Sequence, residues 1–253
     1  LSVQGLEQDL KPVFDPGIYH YAAQCGDGAP FSIAFEATDT TTAKINNAVI
    51  DDNQATFENL SIRDDIVIKL LRGSLTETYY IHCTSSSFPE MAITERSSSA
   101  DEGFLVISPR VSGSSFLFII DNNAVPRFRR IVEGLVFDFK RHMDGRYSYA
   151  QRTERNDFGL WDSEIVILDS SLVEEQRVRT IGLNQTDNHD FLITEQGTYL
   201  LMSYNSERRD LSEYGLAENE LTRDSVIQEQ TQSGEVVFEW NSWDHIDIDD
   251  CLN

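Results

Sequence analysis

Two histidines in the second half of the chain each adjoin an aspartate, and they are the first candidates for chemistry. His189 precedes Asp190, and His245 follows Asp244. A carboxylate beside an imidazole can hold the ring in one orientation, which a general base, a nucleophile or an anion-binding histidine requires. The same pattern suits ordinary polar residues at the points where loops meet strands. The residues alone leave both interpretations open.

The surroundings of His245 are aromatic and acidic. Trp240 and Trp243 come shortly before it, so this loop could stack an aromatic ligand or bind an anion; a solvent-facing loop is the alternative. The acidic residues of the same stretch are Asp244, Asp247, Asp249 and Asp250. These carboxylates lack the glycine-containing spacing of an EF-hand calcium loop, so we predict no metal site.

The arginines of this acidic chain are densest in two short segments. They are Arg127, Arg129, Arg130, Arg152 and Arg155. Because arginine can bind an oxyanion through two parallel hydrogen bonds, one or two of them beside a substrate channel would suit a sulfate or phosphate ester. We expect the others at the rim. No serine nucleophile elbow, glycine-rich phosphate loop or HExxH motif occurs, so no catalytic residue is assigned.

The first part of the chain is expected to be a β-sandwich over residues 1–100. Apolar residues recur at every second position, with Gly, Asp and Asn at the turns, as in residues 31–35, 43–45, 55–57, 65–71 and 78–81. Roughly six or seven short strands in about 80 residues suit a sandwich. His20 and His82 fall in strand patterns with aromatic neighbours, and we expect core or surface imidazoles without chemistry.

A Ser-rich turn at residues 96–103 marks the predicted boundary, and the chain beyond it repeats itself weakly. The pattern Asp-Phe-x5-Gly-x-Tyr begins at Asp138 and again at Asp190. The residue that precedes the first copy is Phe137, and the one that precedes the second is His189. The repeat itself therefore does not require a histidine, which favours a special role for it.

A second repeated element, a strand that ends in an acidic or polar turn, lies at residues 118–125, 165–173 and, in a more divergent form, 226–237. Periods of about 40 to 50 residues with four short strands are typical of β-propeller blades. Only two to three such units fit into residues 101–253, whereas a propeller needs at least about four blades to close. We therefore predict an all-β chain: an N-terminal β-sandwich followed by an incomplete β-propeller that contains the early blades only.

Charge and hydropathy exclude several classes of partner. Lys and Arg number 20 against 43 Asp and Glu, which gives a formal net charge of −23. A field of this sign repels nucleic-acid phosphate and anionic lipid, so we expect no nucleic-acid partner. No segment approaches the roughly 18 apolar residues of a membrane span, and no signal peptide is visible. The chain begins at Leu1, which suits a mature or a truncated product.

The three cysteines are Cys25, Cys83 and Cys251, and none belongs to a CxxC pair, so a zinc site has little support. Cys25 and Cys83 each follow a strand-like segment. A disulfide between them would close a long loop, worth about 4 kcal/mol in the chain-entropy model, and would indicate an oxidising compartment, periplasmic or secreted. Three buried free thiols are the alternative.

Several motifs occur in a characteristic order along the chain. They are Tyr79-Tyr-Ile-His-Cys83 followed by Ser87-Phe-Pro89, then Phe118-Ile-Ile-Asp121, Asn188-His-Asp-Phe191, and residues 224–240 leading to Asp244-His245. As an ordered set they resemble the arylsulfotransferase family, the aryl-sulfate sulfotransferases that are independent of a nucleotide sulfate donor. The resemblance covers roughly residues 79–250.

The resemblance implies a small N-terminal β-sandwich joined to a propeller. It implies transfer of a sulfuryl group from a small aryl sulfate to a phenolic acceptor through a histidine that carries the sulfate transiently, without a cofactor. His189 and His245 match family motifs and are the expected substrate-binding residues. The family's next motif, His followed by Asn-Ser, and its nucleophilic histidine would come after Cys251. We therefore expect the N-terminal portion of such an enzyme, inactive by itself.

A binding protein is the alternative from another functional class. In this interpretation the chain is a non-catalytic propeller, and the aromatic loop from Trp240 to His245 binds a glycan or a protein. Sequence beyond Asn253 would distinguish the two functions, since only the enzyme requires further histidines in the channel.

Overall fold

The computed structural model describes residues 10–34, 41–50, 54–97 and 99–251. The chain separates into two compact units, Leu1–Ile131 and Val132–Asn253. It is an all-β protein, as the sequence predicts. Within the described ranges, no helix has the length and apolarity needed to span a bilayer. The predicted boundary after residue 100 lies inside the first unit, between two of its strands.

The strands of the first unit are short and separated by turns. In chain order they are β1 (His20–Gln24), β2 (Phe31–Ala34), β3 (Thr42–Ile45), β4 (Ala48–Ile50), β5 (Gln54–Phe57), β6 (Asp65–Arg72), β7 (Leu75–Thr84), β8 (Phe104–Ile107), β9 (Arg110–Val111), β10 (Ser114–Asp121) and β11 (Pro126–Val132). The alternation in β6 shows why they form: Ile66 and Ile68 are fully buried, whereas Val67 and Lys69, which follow them in turn, are half-buried.

Two sheets of the first unit share one apolar core. The larger has the order β1-β7-β6-β3-β4, in which β1 runs parallel to β7 and the other pairs are antiparallel. The smaller pairs β2 with β5. Tyr21, Ile66 and Ile81 of the larger sheet and Phe31 and Ile33 of the smaller belong to the same buried cluster.

Cys25 and Cys83 form a disulfide, with their Cα atoms 4.9 Å apart. Of the two alternatives that the sequence leaves open for this pair, the structure has the bonded one. Cys83 lies in β7 opposite Ala23 of β1, and Cys25 follows the end of β1. The bond therefore fastens the parallel pair at its carboxyl end, and both cysteines lie in the apolar core.

A separate sheet follows the Ser-rich turn. Its order is β11-β10-β8, and β9 also pairs with β10. β10 is buried along nearly its whole length. Phe116 and Phe118 of this strand pack with Phe88 in edge-to-face geometry.

The second unit consists of two antiparallel four-stranded meanders. Sheet E contains β12 (Val136–Arg141), β13 (Tyr147–Arg155), β14 (Trp161–Leu168) and β15 (Glu174–Val178) in this order, and sheet F contains β16 (Phe191–Ile193), β17 (Tyr199–Arg209), β18 (Glu220–Gln230) and β19 (Val236–Asn241). Ile165 and Ile167 of sheet E pack with Phe191, Tyr199 and Leu201 of sheet F.

The sequence repeat is confirmed as a repeat of turns between strands. In the β12–β13 turn the Gly145 amide donates to the His142 carbonyl, and in the β16–β17 turn the Gly197 amide donates to the Thr194 carbonyl. Both glycines have a positive φ, 92° and 80°. These are the αL positions at which glycine carries no steric cost, so each turn needs its glycine.

The second repeated element is confirmed in the same way. The amide of Asp121 donates to the Val125 carbonyl, that of Asp169 to the Val173 carbonyl, and that of Thr231 to the Glu235 carbonyl. The residue before the end of each turn has a positive φ: Ala124, Leu172 and Gly234. The three copies therefore share one backbone conformation although their sequences differ.

β17 extends to Arg209 and β18 begins at Glu220, and the connection between them contains a 3₁₀ helix, Ser212–Tyr214. A second 3₁₀ helix, Ser242–Asp244, follows β19, and a short helix α1 (Ile248–Cys251) comes after it.

Removing the disulfide should destabilise the first unit. We expect the double variant Cys25→Ala/Cys83→Ala to lose about 4 kcal/mol of unfolding free energy, because the unfolded chain regains the entropy of a long open loop. Chemical denaturation monitored in the first unit measures the loss. A reductant should reproduce it in the native protein and leave the variant unchanged; equal stability of both proteins without reductant would contradict this expectation.

Candidate functional site

His189 is an exposed histidine held by a buried carboxylate. Its side chain is 70% exposed, whereas that of Asp187 is 2% exposed. Nδ1 lies 2.9 Å from both carboxylate oxygens of Asp187, and the His189 backbone amide donates to the same group at 3.0 Å. Because a carboxylate only accepts hydrogen bonds, Nδ1 carries the proton. The arrangement fixes the ring and leaves Nε2 as the nitrogen that can meet a ligand.

Asp187 is held by a buried polar segment, residues 185–188, between β15 and β16. The Asp187 amide donates to the Met202 carbonyl of β17. The Thr186 amide donates to the Asp162 carboxylate of β14 at 2.7 Å, and Gln185 Nε2 donates to the Trp161 carbonyl at 2.9 Å. Strands of both sheets therefore position this segment, and through it the His189 ring.

The carboxylate partner of His189 is not the neighbour that the sequence suggests. Asp190 instead pairs with Lys140 of β12, which also binds Asp138 at 2.7 Å. The two aspartates of the sequence repeat therefore share one ammonium group. Burial would lower the pKa of Lys140, but the hydrogen bonds to the two carboxylates outweigh it and raise the pKa above its ordinary value.

His245 lies at the opposite edge of the same sheet. Its ring stacks on Trp240, with centroids 5.4 Å apart and planes at 6°. The His245 ring therefore covers the face of Trp240 on which an aromatic ligand was expected to stack. His189 precedes β16, the first strand of sheet F, and His245 follows β19, the fourth. The two edge strands are separated by three strand spacings of about 4.8 Å each, so the structure places the two histidines at opposite edge strands of the sheet.

Two of the five arginines singled out by the sequence, Arg152 and Arg155, lie in the second unit, and aromatic rings contact both. The Arg152 guanidinium lies 4.7 Å from the Phe137 centroid and 5.2 Å from that of Trp161, and Arg155 lies 4.7 Å from the Trp161 centroid. These contacts are of the cation–π type and hold side chains along β12, β13 and β14. The other three arginines singled out by the sequence lie in the first unit.

In the first unit, His20 and His82 belong to a connected polar network, which the sequence analysis did not predict. His20 Nδ1 is 3.1 Å from His82 Nε2, and His82 Nδ1 is 2.9 Å from Asp65 Oδ1. The parallel pairing of β1 with β7 places the two imidazoles side by side, stacked with Tyr80. Burial lowers the pKa of His20 to about 4, and the charge of Arg127 adds to this effect.

Arg129 completes this network from β11. Its Nη2 donates to Asp65 Oδ1 at 2.7 Å, and its Nε donates to the Cys83 carbonyl at 2.5 Å. Burial alone would raise the pKa of Asp65, but the hydrogen bonds from His82 and Arg129 hold it below its ordinary value. Arg129 is buried, and its charge is balanced by this carboxylate.

His142 is a buried histidine between the two sheets of the second unit, and it was not among the residues singled out by the sequence. Its Nε2 lies 2.7 Å from Ser148 Oγ, and its Nδ1 accepts from the Ile193 amide of β16 at 3.4 Å. Burial lowers its pKa to about 4, with the charge of Lys140 acting in the same direction. The sole sequence signal was its position three residues before the turn glycine of the repeat.

Across the described residues, no group of three or more His, Cys, Asp or Glu side chains is placed to hold a metal ion. Comparison with protein-family models and with curated proteins finds no match to this chain. What the site can do is therefore inferred from its geometry alone. A buried carboxylate orients the His189 imidazole, and the other ring nitrogen, Nε2, points away from that carboxylate.

The buried His142 should make the second unit sensitive to acid. The folded ring takes up its proton only near pH 4, whereas the unfolded ring does so near 6.5, so the unfolded state binds more protons below 6.5. The free energy of unfolding should fall as the pH drops from about 7 to about 5, by about 1 kcal/mol once solvent screening is allowed for. Urea denaturation at both pH values measures it.

The variant His142→Gln, which keeps a donor and an acceptor, should flatten this pH dependence. His245→Gln is the matched control, because it removes an exposed imidazole of the same unit and should keep the native slope. Identical slopes for the native protein and the His142 variant would show that another group is responsible.

Proposed function

We propose that this chain is the N-terminal portion of an arylsulfotransferase-like protein, which transfers a sulfuryl group from a phenolic sulfate ester to a phenol. The observation that carries the proposal is the His189–Asp187 pair, an exposed imidazole oriented by a buried carboxylate. The resemblance of the ordered motifs supplies the reaction class. In this proposal the histidine that accepts the sulfuryl group belongs to the parent protein outside these residues.

The pair suits the binding of a sulfate ester. Asp187 accepts the hydrogen bond from Nδ1, so Nε2 is left to contact the substrate and, when it carries a proton, can donate to a sulfate oxygen while the buried carboxylate balances the charge of the ring. Negative charge redistributes over the sulfuryl and leaving oxygens during transfer, and a donor already held in position stabilises it without reorganisation. His189 acts here as a binding group. His245 is proposed as a second substrate-binding residue, placed at the opposite edge strand of sheet F.

We propose further that the chain is a β-sandwich followed by the early blades of a propeller. In the first unit, two sheets around one core support the sandwich. In the second, two packed four-stranded meanders support the blades. The free face of sheet F is apolar as well, and its exposed members are Leu192, Tyr204, Ile227 and Phe238. A further sheet of the same kind, stacked as sheet E is on the other face, would bury them.

A secreted or periplasmic location is proposed from the disulfide. Cys25 and Cys83 are bonded across a long loop, and such bonds persist in oxidising compartments.

A second candidate function is a non-catalytic module that binds a glycan or protein. The observation that favours it is the exposed indole of Trp243, fixed by Arg209 at 4.1 Å from its centroid and thus pre-ordered for stacking. In this case Trp243→Ala would abolish ligand binding, and the full-length parent would show no sulfuryl transfer.

The transfer proposal is tested with the full-length parent, a chromogenic aryl sulfate as donor and phenol as acceptor. We expect turnover, and we expect His189→Ala to lower kcat/KM by about a hundredfold through loss of one charge-assisted donor. Asp187→Asn should lower it less, because the ring remains but its orientation is lost. Gln196→Ala, at an exposed residue in the neighbouring turn, serves as the control and should keep native activity.

Absence of turnover with every phenolic sulfate, or native activity in the His189 variant, would contradict the proposal. The 253-residue chain should show no transfer by itself, since the proposal places its nucleophile elsewhere.

The incomplete-propeller proposal has its own test in thiol labelling. A Phe238→Cys thiol on the free face of sheet F should react rapidly in this chain and slowly in the longer parent, where a following blade would cover it. Met143→Cys, at a side chain that is 88% exposed in the β12–β13 turn, should react rapidly in both proteins. Equal reactivity of the Phe238→Cys thiol in both would show that no sheet covers this face.

A further inference from the structure

A pocket in the first unit is lined by four arginines among its six residues. Its volume is about 530 Å³, and its lining residues are Arg63, Asp65, Arg127, Phe128, Arg129 and Arg130. This volume falls within the range of about 300–1,000 Å³ that is usual for small-molecule sites. The pocket lies at β11 and at the start of β6 in the first unit, whereas the residues of the proposed transfer site belong to the second unit.

The pocket reverses the sign of the charge that dominates the chain. Four arginines and one aspartate line it, whereas the whole chain has 20 basic and 43 acidic residues. Like charges gathered at one place are unfavourable unless an anion offsets them, and a concave site concentrates their field. The structure therefore maintains a local positive potential in a molecule whose average potential is negative.

The single carboxylate of the pocket is already engaged. Asp65 Oδ1 accepts from Arg129 Nη2 at 2.7 Å and lies 2.9 Å from His82 Nδ1. Arg129 is fixed from the other side by the Cys83 and Asp64 carbonyls. Asp65 and Arg129 are therefore held by these hydrogen bonds, and their charges offset each other. The net positive charge of the pocket comes from the remaining arginines.

Two of those arginines can reach a ligand. Arg127 is 30% exposed, and its ion pair with Asp121 is long, at 3.5 Å. Among the described residues, the Arg63 guanidinium has no hydrogen-bond or ion-pair partner. Arginine's planar fork matches the spacing of two oxygens on a tetrahedral anion, and its guanidinium is weakly hydrated, so it binds such groups well.

We propose that this pocket binds a tetrahedral oxyanion, a sulfate or phosphate group, with Arg63 and Arg127 as its direct ligands. Arg129 is a positioning residue that fixes Asp65 and keeps it from competing for the ligand arginines. Phe128 and Arg130 form the remaining wall. The inference does not rest on the transfer function, because it concerns other residues in the other unit.

The test is isothermal titration of the 253-residue protein with sodium sulfate and, separately, with sodium phosphate, at an ionic strength held constant with sodium chloride. We expect the protein to bind one anion per chain, saturably, with at least one of the two salts. Comparing the two salts identifies which anion the pocket prefers. The protein's fold in each variant is checked by its circular dichroism and thermal midpoint.

The double variant Arg63→Gln/Arg127→Gln should bind the anion at least about tenfold more weakly, since two charge-assisted contacts are lost. The matched control is Arg72→Gln/Arg110→Gln, which removes the same charge from two exposed arginines of the same unit outside the pocket. It should bind as the native protein does. This control separates specific binding from the general stabilisation that sulfate gives to any folded protein.

Two results would overturn the proposal. One is the absence of saturable binding with both salts. The other is an equal dissociation constant for the pocket variant and the control, which would show that the anion responds to overall charge and not to these two arginines.

Discussion

Sheet F of the second unit has apolar residues on both faces, and this constraint governs how the unit is built. One face of sheet F is buried against sheet E through Phe191, Tyr199 and Leu201. A single neighbour can cover only one face, and burial of apolar area is worth about 25 cal/mol per Å². Packing of sheet E against sheet F therefore stabilises both sheets and fixes the loops at their strand ends.

The imidazole–carboxylate pair depends on that stacking. A carboxylate that is almost fully buried is costly unless hydrogen bonds satisfy it. Asp187 meets this condition through the ring and backbone amide of His189, and the segment that contains it is fastened to β14 and β17 of the two sheets. The exposed ring is thus set by buried contacts, which is how a rigid framework positions a group on a loop.

Much of the fold could be predicted from the sequence. The all-β class, the strands at residues 43–45, 55–57 and 65–71 and the repeated turns follow from alternation and from turn residues, which act locally. The sandwich and propeller arrangement remains a prediction, because alternation shows which side of a strand is apolar and not what covers it. The residues between Ala34 and Thr41, where one predicted strand ends, lie outside the described ranges.

The side-chain partners could not be predicted, because they depend on register and on distant strands. The sequence pairs His189 with its neighbour Asp190, but the turn of the chain brings the Asp187 carboxylate within hydrogen-bond distance of Nδ1 of the ring. The network of His20 and His82 requires a parallel strand pair whose members are far apart in sequence. His142 carried no pattern that distinguishes a buried histidine from an exposed one.

The bond between Cys25 and Cys83 has a topological consequence. It closes a covalent ring that contains β2, β3, β4, β5 and β6, five of the seven strands around the first core. A single proteolytic cut in any turn inside this ring leaves the polypeptide in one piece, and the cut ends stay tethered beside their sheet. Such a module can therefore tolerate a cut that would release a fragment from an open chain.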